Sequence, residues 1–263
     1  MARRFYPYKK LTISTRNGKV LAIEKYRELP FTNDVLKGLA RTGAYEGRVI
    51  IADRQTSPRG VLDKKHFGDD SSGLHMSILL RPGFSVKRSL MLTSMAAVAV
   101  ANAIKEHSGL DEEIGINWVS DIIYKKKKMA AILAEGAINS ENGFDYVILG
   151  ISVKLLSSVF PPKLTDIVAE IFSENHEGLV DKMARSILKS FFDMYESFGT
   201  NMEFLDEYRE MSLLTGRRVH VLANNAKTTA VVNGITDDAH LSVILKDGSE
   251  YVLNSTGELL LGN

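Results

Sequence analysis

Residues 114–135 read IGINWVSDIIYKKKKMAAILAE. A short apolar segment reaches Trp118, the one tryptophan of the chain, and a carboxylate, Asp121, stands just past it. Ile122, Ile123 and Tyr124 then read as a strand and Lys125 to Lys127 as a basic turn. Lys128 opens a second strand through Met129, Ala130, Ala131, Ile132 and Leu133. Two apolar runs joined by a short polar turn spell a β-hairpin. Such a hairpin brings an acid and a base, seven residues apart, to the same end of a sheet. Most lysine runs are solvated turns, and spacing alone leaves this one an ordinary surface hairpin.

Composition bounds the rest. With 263 residues the chain can hold one sizeable domain and a small one. The formal net charge of +1 implies neither a nucleic-acid-binding field nor a strongly acidic surface. The chain has no cysteine, which excludes disulfide scaffolds, thiolate catalysis and cysteine metal sites. The start, MARRFYPYKK, lacks the apolar run of a signal peptide. The longest apolar stretch, Ala96 to Ile104, is too short to span a bilayer. A soluble, cytoplasmic protein with no membrane or nucleic-acid partner is expected.

Leu11 to Leu29 predicts a hairpin turning at Asn17-Gly18. Thr32-Asn33-Asp34 is a helix start signal, with Val35, Leu36, Leu39 and Ala40 as the apolar face. Val49 to Ala52 reads as a buried strand followed by Asp53-Arg54-Gln55-Thr56, and Gly73 to Pro82 as a strand with apolar alternation. Ser89 to His107 predicts a long helix with an alanine-rich core face. Phe144 to Leu155 is a strand running through Gly150. Beyond Pro161-Pro162 the pattern turns helical, over Thr165–Phe172 and Leu179–Tyr195. From Gly216 on, Val219–Val221, Thr229–Gly234, Leu241–Leu245 and Tyr251–Leu253 alternate like short strands, with turns at Asp237-Asp238 and Asp247-Gly248. Six histidines show no paired ligand spacing, so no zinc site is expected.

Several of these segments, in this order, resemble the biotin protein ligases. In that family K-W-P-N-D precedes a short strand, a turn and K-L-A-G-I-L. Here Trp118 and Asp121 stand in register and Lys128 falls on the catalytic lysine, while Asn117, Val119 and Ser120 replace lysine, proline and asparagine. Thr32 and Asn33 match two members of a serine-threonine-asparagine triplet that holds the ureido ring of biotin; Phe31 replaces the serine. The run Ala52-Asp53-Arg54-Gln55-Thr56 resembles the start of the biotin and adenylate loop. That loop continues with Arg59 and Gly60 kept, Val61 in place of its second arginine, and Pro58 where a glycine would free the backbone. Gly73-Leu74-His75-Met76-Ser77 resembles the strand that walls the ring pocket. Gly150 and Ile151 survive from a G-x-G-I-N-V-N strand whose first asparagine reaches the nucleotide, and Ser152 stands there with shorter reach.

The resemblance implies an α/β (α+β) fold: a mixed-sheet biotin/lipoate ligase-like catalytic domain over 1–214 and a small SH3-like β-barrel over 215–263. The stretch before Thr32 is too short for a winged helix, so no DNA-binding domain is expected. In the implied reaction the biotin carboxylate attacks the α-phosphate of ATP, giving biotinyl-5'-adenylate and pyrophosphate, and a lysine of a biotin carboxyl carrier protein then attacks the mixed anhydride and releases AMP. Lys128, Arg59 and Asp121 would be catalytic. Thr32, Asn33, Gln55, Arg59, Gly60, Gly73, Leu74 and Lys128 would bind biotin. Arg59, Trp118, Asp121, Lys128, Gly150 and Ser152 would bind ATP, and Asp121 would hold Mg²⁺. A homodimer is a further expectation. The competing readings are a degenerate biotin- or adenylate-binding homologue, argued by Val61, Asn117 and Ser152, and a lipoate-type ligase, which does not explain A-D-R-Q-T together with W-x-x-D. Loss of the arginine at Val61 further implies an adenylate that escapes early.

Overall fold

In the computed structural model, residues 5–60, 73–109, 114–155, 178–253 and 255–260 are described. Strands β1 (Lys9–Ser14) and β2 (Val20–Leu29) form the expected hairpin, turning over Thr15–Lys19 with Gly18 at φ +83°. Helix α1 (Thr32–Arg41) leads to β3 (Arg48–Gln55), which runs parallel to β2. Then come β4 (Gly73–Leu80), helix α2 (Ser89–Ser108), β5 (Ile114–Asn117), β6 (Asp121–Tyr124), β7 (Lys127–Ile138) and β8 (Phe144–Lys154). The strands lie in the order β1-β2-β3-β4-β8-β7-β6-β5, a mixed sheet in which the other neighbours pair antiparallel. The β5 edge is closed by backbone bonds between Ile116 and residues Met211 and Leu213.

Side-chain alternation divides this sheet between two unlike layers. Val49, Ile51, Leu74, Met76, Ile78, Leu149, Ile151, Ala130 and Ile132 face one way, into a core with α2 and helix α3 (Leu179–Glu196). Ile50, Ala52, Leu79, Tyr146 and Ile148 face the other way, under Leu36 and Ala40 of α1. α1 covers only one end of its face; the rest of that face carries the polar side chains discussed below. All eight residues of β4 are buried, so the expected one-sided alternation is a two-sided burial. One face of β4 meets the α2 core through Leu74, Met76, Ile78 and Leu80, and the other lies under α1 at its Leu79 end. α2 is likewise buried almost all round, from Met91 to Ala101.

The hairpin at 121–138 departs from the sequence reading in two ways. Asp121 opens β6 rather than preceding it, and the turn is the two residues Lys125-Lys126, with φ +47° and +67°, so Lys127 already belongs to β7. Positive φ at both central residues is the hairpin geometry that matches strand twist.

The helical reading after 178 holds in α3 and in helix α4 (Glu203–Glu210). Val61, Pro161-Pro162 and Thr165–Phe172 lie outside the described residues. The tail forms β9 (Arg218–Ala223), β10 (Ala226–Ile235), β11 (Leu241–Leu245), β12 (Glu250–Leu253) and β13 (Leu259–Leu260), a five-stranded sheet in the order β12-β11-β10-β9-β13. Its inner residues Val221, Val232, Leu241, Val243 and Leu253 join the same apolar cluster as α2. Among the described residues no helix is long and apolar enough to cross a membrane.

Candidate active site

The N-terminus of α1 sets one end of the site. Thr32 does not act as the helix cap: the capping position is Phe31, which makes no side-chain cap bond. The Thr32 hydroxyl donates instead to Gln55 Oε1 (3.0 Å), which also accepts the Thr32 backbone N–H (2.9 Å). Ser77 Oγ lies 2.7 Å from Thr32 Oγ1 and 2.6 Å from Asn33 Oδ1, so its single proton has two acceptors to choose between. Asn33 Nδ2 donates to Glu135 Oε2 (2.7 Å), whose other oxygen accepts from Lys37 Nζ (2.5 Å). Thr32, Asn33, Gln55 and Ser77 are at most 2% exposed. Buried polar groups of this kind persist because each has a partner.

Gly150 is required by this arrangement. A Cβ there would lie 2.4 Å from Asn33 Oδ1, so the helix terminus sits directly on the β8 backbone. Gly73 has a comparable role, since its Cβ would meet the Val153 carbonyl oxygen at 2.4 Å.

The other end is built by a β-bulge. β6 and β7 pair Asp121 with Ala131 and Ile122 with Ala130, then shift register so that Ile123 faces Lys128. Strict alternation along β7 would send Lys128 to the same side as Ala130 and Ile132, into the α2 core. The extra residue, Met129, is buried beside Ala130 in that core, and the parity change turns Lys128 to the opposite face. Re-aiming a side chain is what a bulge does. Lys128 Nζ then lies 2.7 Å from Asp121 Oδ2, with the two side chains 27% and 36% exposed. The acid and base expected from spacing are therefore in contact. Behind them, Ser120 Oγ donates to the Ile132 carbonyl (2.9 Å), and the buried Tyr208 hydroxyl donates to the Val119 carbonyl (2.7 Å).

Strand register connects the two ends. Ala52, His75, Ser152, Ala131, Asp121 and Asn117 form one row across β3, β4, β8, β7, β6 and β5. Ser77 and Gly150 belong to the next row on the same face. At about 4.8 Å per strand, Ser77 and Asp121 are separated by about 15 Å of sheet.

Not every expected residue is gathered here. Leu74 points to the α2 side and is wholly buried in that core. Trp118 is also core, and its indole N–H donates to the Ala239 carbonyl (3.0 Å) in the β10–β11 turn. Arg59 lies at the α1 end: its Nη2 is 2.5 Å from Asp34 Oδ1, and its guanidinium sits 5.3 Å from the centre of the Phe31 ring. Gly60 adjoins Arg59 and is half-buried. Among the described residues no three acidic or histidine side chains gather to hold a metal. Ser77, His75 and Glu135 lie on this face; the sequence reading named the first two only within the pocket-walling strand and gave none of the three a site role. Two polar residues inside the otherwise apolar run GLHMSILL were the available signal.

Residues 26–153 match the model described as the Biotin/lipoate A/B protein ligase family. The bifunctional ligase/repressor BirA of Bacillus spizizenii is 28% identical over 227 residues, covering 84% of this chain and 69% of that protein. The biotin–[acetyl-CoA-carboxylase] ligase of Mycobacterium tuberculosis is 24% identical over 240 residues, covering 87% and 85%. Among solved structures, the biotin protein ligase from Aquifex aeolicus in complex with biotin and ATP superposes with a TM-score of 0.71 at 21% identity, over 90% of this chain and 97% of that one. At that identity the likeness establishes a shared fold.

Proposed function

We propose, from the match of residues 26–153 to the Biotin/lipoate A/B protein ligase family, that this chain is a member of that family and a biotin–[acetyl-CoA-carboxylase] ligase. It activates biotin with ATP as biotinyl-5'-adenylate and transfers biotin to a lysine of a biotin carboxyl carrier protein. The observation that carries the reading is the pairing, on one sheet face, of a dry neutral hydrogen-bonding cradle with a half-exposed lysine–aspartate pair.

The cradle suits a ring with both donor and acceptor edges. Ser77 and Thr32 present rotatable hydroxyls, and Asn33 is held by Glu135 and Ser77. Lys128 supplies positive charge where negative charge builds during acyl and phosphoryl transfer. A preorganised donor of that kind contributes about 3–4 kcal/mol. Asp121 holds the ammonium in place. Mg²⁺, which neutralises phosphate charge, would come with ATP and be held by its phosphates and Asp121, in keeping with the ion's habit of one or two protein carboxylates. Arg59, at the mouth of the cradle, is a bidentate donor that can exchange Asp34 for a ligand carboxylate or phosphate. The tail sheet reads as an SH3-like barrel that buttresses Trp118. The domain division at 214/215, the cytoplasmic setting and a homodimer belong to the same reading.

Incubation with biotin and MgATP followed by mass spectrometry tests it. Bound biotinyl-adenylate and biotin-dependent pyrophosphate release are expected. Biotin binding with no pyrophosphate would replace the ligase by a degenerate binder, and competition by lipoate would move the substrate class. Val61→Arg is expected to lengthen adenylate retention by about ten-fold or more, one charged hydrogen bond being worth about 1.5–3 kcal/mol.

A further inference from the structure

Glu135 stands on β7 opposite Ile148 of β8, on the face that α1 covers. One of its oxygens accepts from Lys37 Nζ (2.5 Å) and the other from Asn33 Nδ2 (2.7 Å). A carboxylate only accepts and an ammonium only donates. Asn33 must therefore turn its amide nitrogen to Glu135 and its amide oxygen to Ser77, 2.6 Å away. At the far end of the cradle the Thr32 backbone N–H, a donor only, obliges Gln55 to turn its oxygen inward. Carbonyl oxygens thus close both ends of the row Gln55–Thr32–Ser77–Asn33. Its three oxygen–oxygen contacts, at 3.0, 2.7 and 2.6 Å, share only the hydroxyl protons of Thr32 and Ser77. One contact is always short of a proton.

We propose that Glu135 is a positioning residue that keeps the cradle one proton short and thereby selects a ligand N–H. The inference rests on the ligase reading, which brings the ureido ring of biotin to this cradle. Both hydroxyl protons are drawn along the row, so lone pairs are what Thr32 and Ser77 hold out to a ligand. A ring N–H supplies the donor that the row lacks, whereas a ring edge of acceptors meets lone pairs. Glu135 does this through Asn33 and touches no ligand. With Asn33 reversed, its Nδ2 would donate to Ser77, Ser77 to Thr32 and Thr32 to Gln55, and the row would be complete by itself. The carboxylate forbids that state, because the reversed amide would set oxygen against oxygen.

Glu135→Gln, Asn33→Asp and the two together test the order of donors. In Glu135→Gln the new amide keeps its oxygen on Lys37, so its nitrogen faces Asn33 and turns Asn33 to the reversed state. Asn33→Asp alone sets two carboxylates together. In the double variant the new carboxylate at 33 accepts from Ser77 and from the new amide, which restores the row. Calorimetric biotin affinity and denaturant stability are read on all four proteins. Glu135→Gln should weaken biotin about ten-fold, the worth of one hydrogen bond, with little loss of stability. Asn33→Asp should lower both affinity and stability, and the double variant should bind biotin within about three-fold of the unaltered chain, since paired residues are not additive. Additive losses in the double variant, or unchanged biotin affinity in Glu135→Gln, would overturn the proposal and leave Glu135 a fastening of α1 to the sheet. If Asn33→Asp does not fold, Glu135→Gln and the double variant still decide. Absence of biotin binding in the unaltered protein would remove the ligase reading. The stability cycle would still decide the order of donors, which requires Asn33→Asp to cost less in the Glu135→Gln background.

Discussion

At one end of the site face, Thr32, Asn33, Gln55 and Ser77 are at most 2% exposed and bonded to one another. At the other, Asp121 and Lys128 keep 36% and 27% of their side-chain surface in solvent. Neutral polar groups can be dried in advance when they satisfy one another, so the cradle is finished before any ligand arrives. An ion pair dried in advance would lose more hydration than its attraction returns, so the charged end stays wet. The cradle should therefore govern binding and stability together. The charged end should govern rate with little effect on stability.

Removing the charge is the sharpest way to break that contrast. Lys128→Ala should lower adenylate formation by about 10²–10³-fold, far more than it weakens biotin binding, with stability within about 0.5 kcal/mol. Lys126→Ala should do neither. Equal damage from both, in exchange kinetics and thermal melts, would mean that the bulge does not single out Lys128.

His75 tests the buried side through pH. Its pKa is pushed from 6.5 down to about 4 by burial. Between those values the unfolded chain binds the proton and the folded chain does not, so stability is full above 6.5 and falls as pH drops towards 4. The loss amounts to on the order of 3 kcal/mol at 1.36 kcal/mol per unit. Denaturant titrations from pH 7 to pH 4 should show a shallower decline for His75→Asn than for the unaltered chain. Parallel curves would place the imidazole in a wetter setting than the sheet row provides.

Smaller steric and hydrogen-bond changes in the cradle should move stability and biotin affinity together. Gly150→Ala sets a methyl against Asn33, and overpacking of this sort costs about 1–3 kcal/mol. Ser77→Ala leaves buried acceptors without a donor, at about 1–3 kcal/mol. Calorimetric biotin binding read beside melting temperatures checks the coupling, and a loss of stability at unchanged affinity would separate cradle from ligand.

The smallest effect belongs to the hairpin tip. Lysine at positive φ is disfavoured by about 1–2 kcal/mol per residue, and Lys125 and Lys126 both adopt it. Replacing them together by Asn-Gly should raise stability by about 1 kcal/mol and leave adenylation within about two-fold. A large loss of activity would make the tip lysines part of the charged end.

Much of this was legible in the sequence because the signals are local. Apolar runs mark β3, β4 and β8; the Asn17-Gly18 turn marks the first hairpin; the alanine-rich stretch marks α2. Residue type and order carried the resemblance, and with it Thr32, Asn33, Asp121 and Lys128. Alternation also says that a strand has two faces. It does not say which face joins which layer, so Leu74 was grouped with the pocket although it lies in the α2 core, while Ser77 and His75, on the opposite face, were given no site role of their own. Partners far along the chain were equally hidden: Arg59 meets Asp34, Thr32 meets Gln55 and Trp118 meets Ala239 only once the sheet is assembled. The bulge at Met129 is the clearest case. Lys128 stands at a position of β7 that plain alternation would bury. One extra residue, admitted because Met129 and Ala130 can both enter the α2 core, turns it to face Asp121. Residue identity determined which groups were available; the packing of two layers on one sheet decided which of them meet.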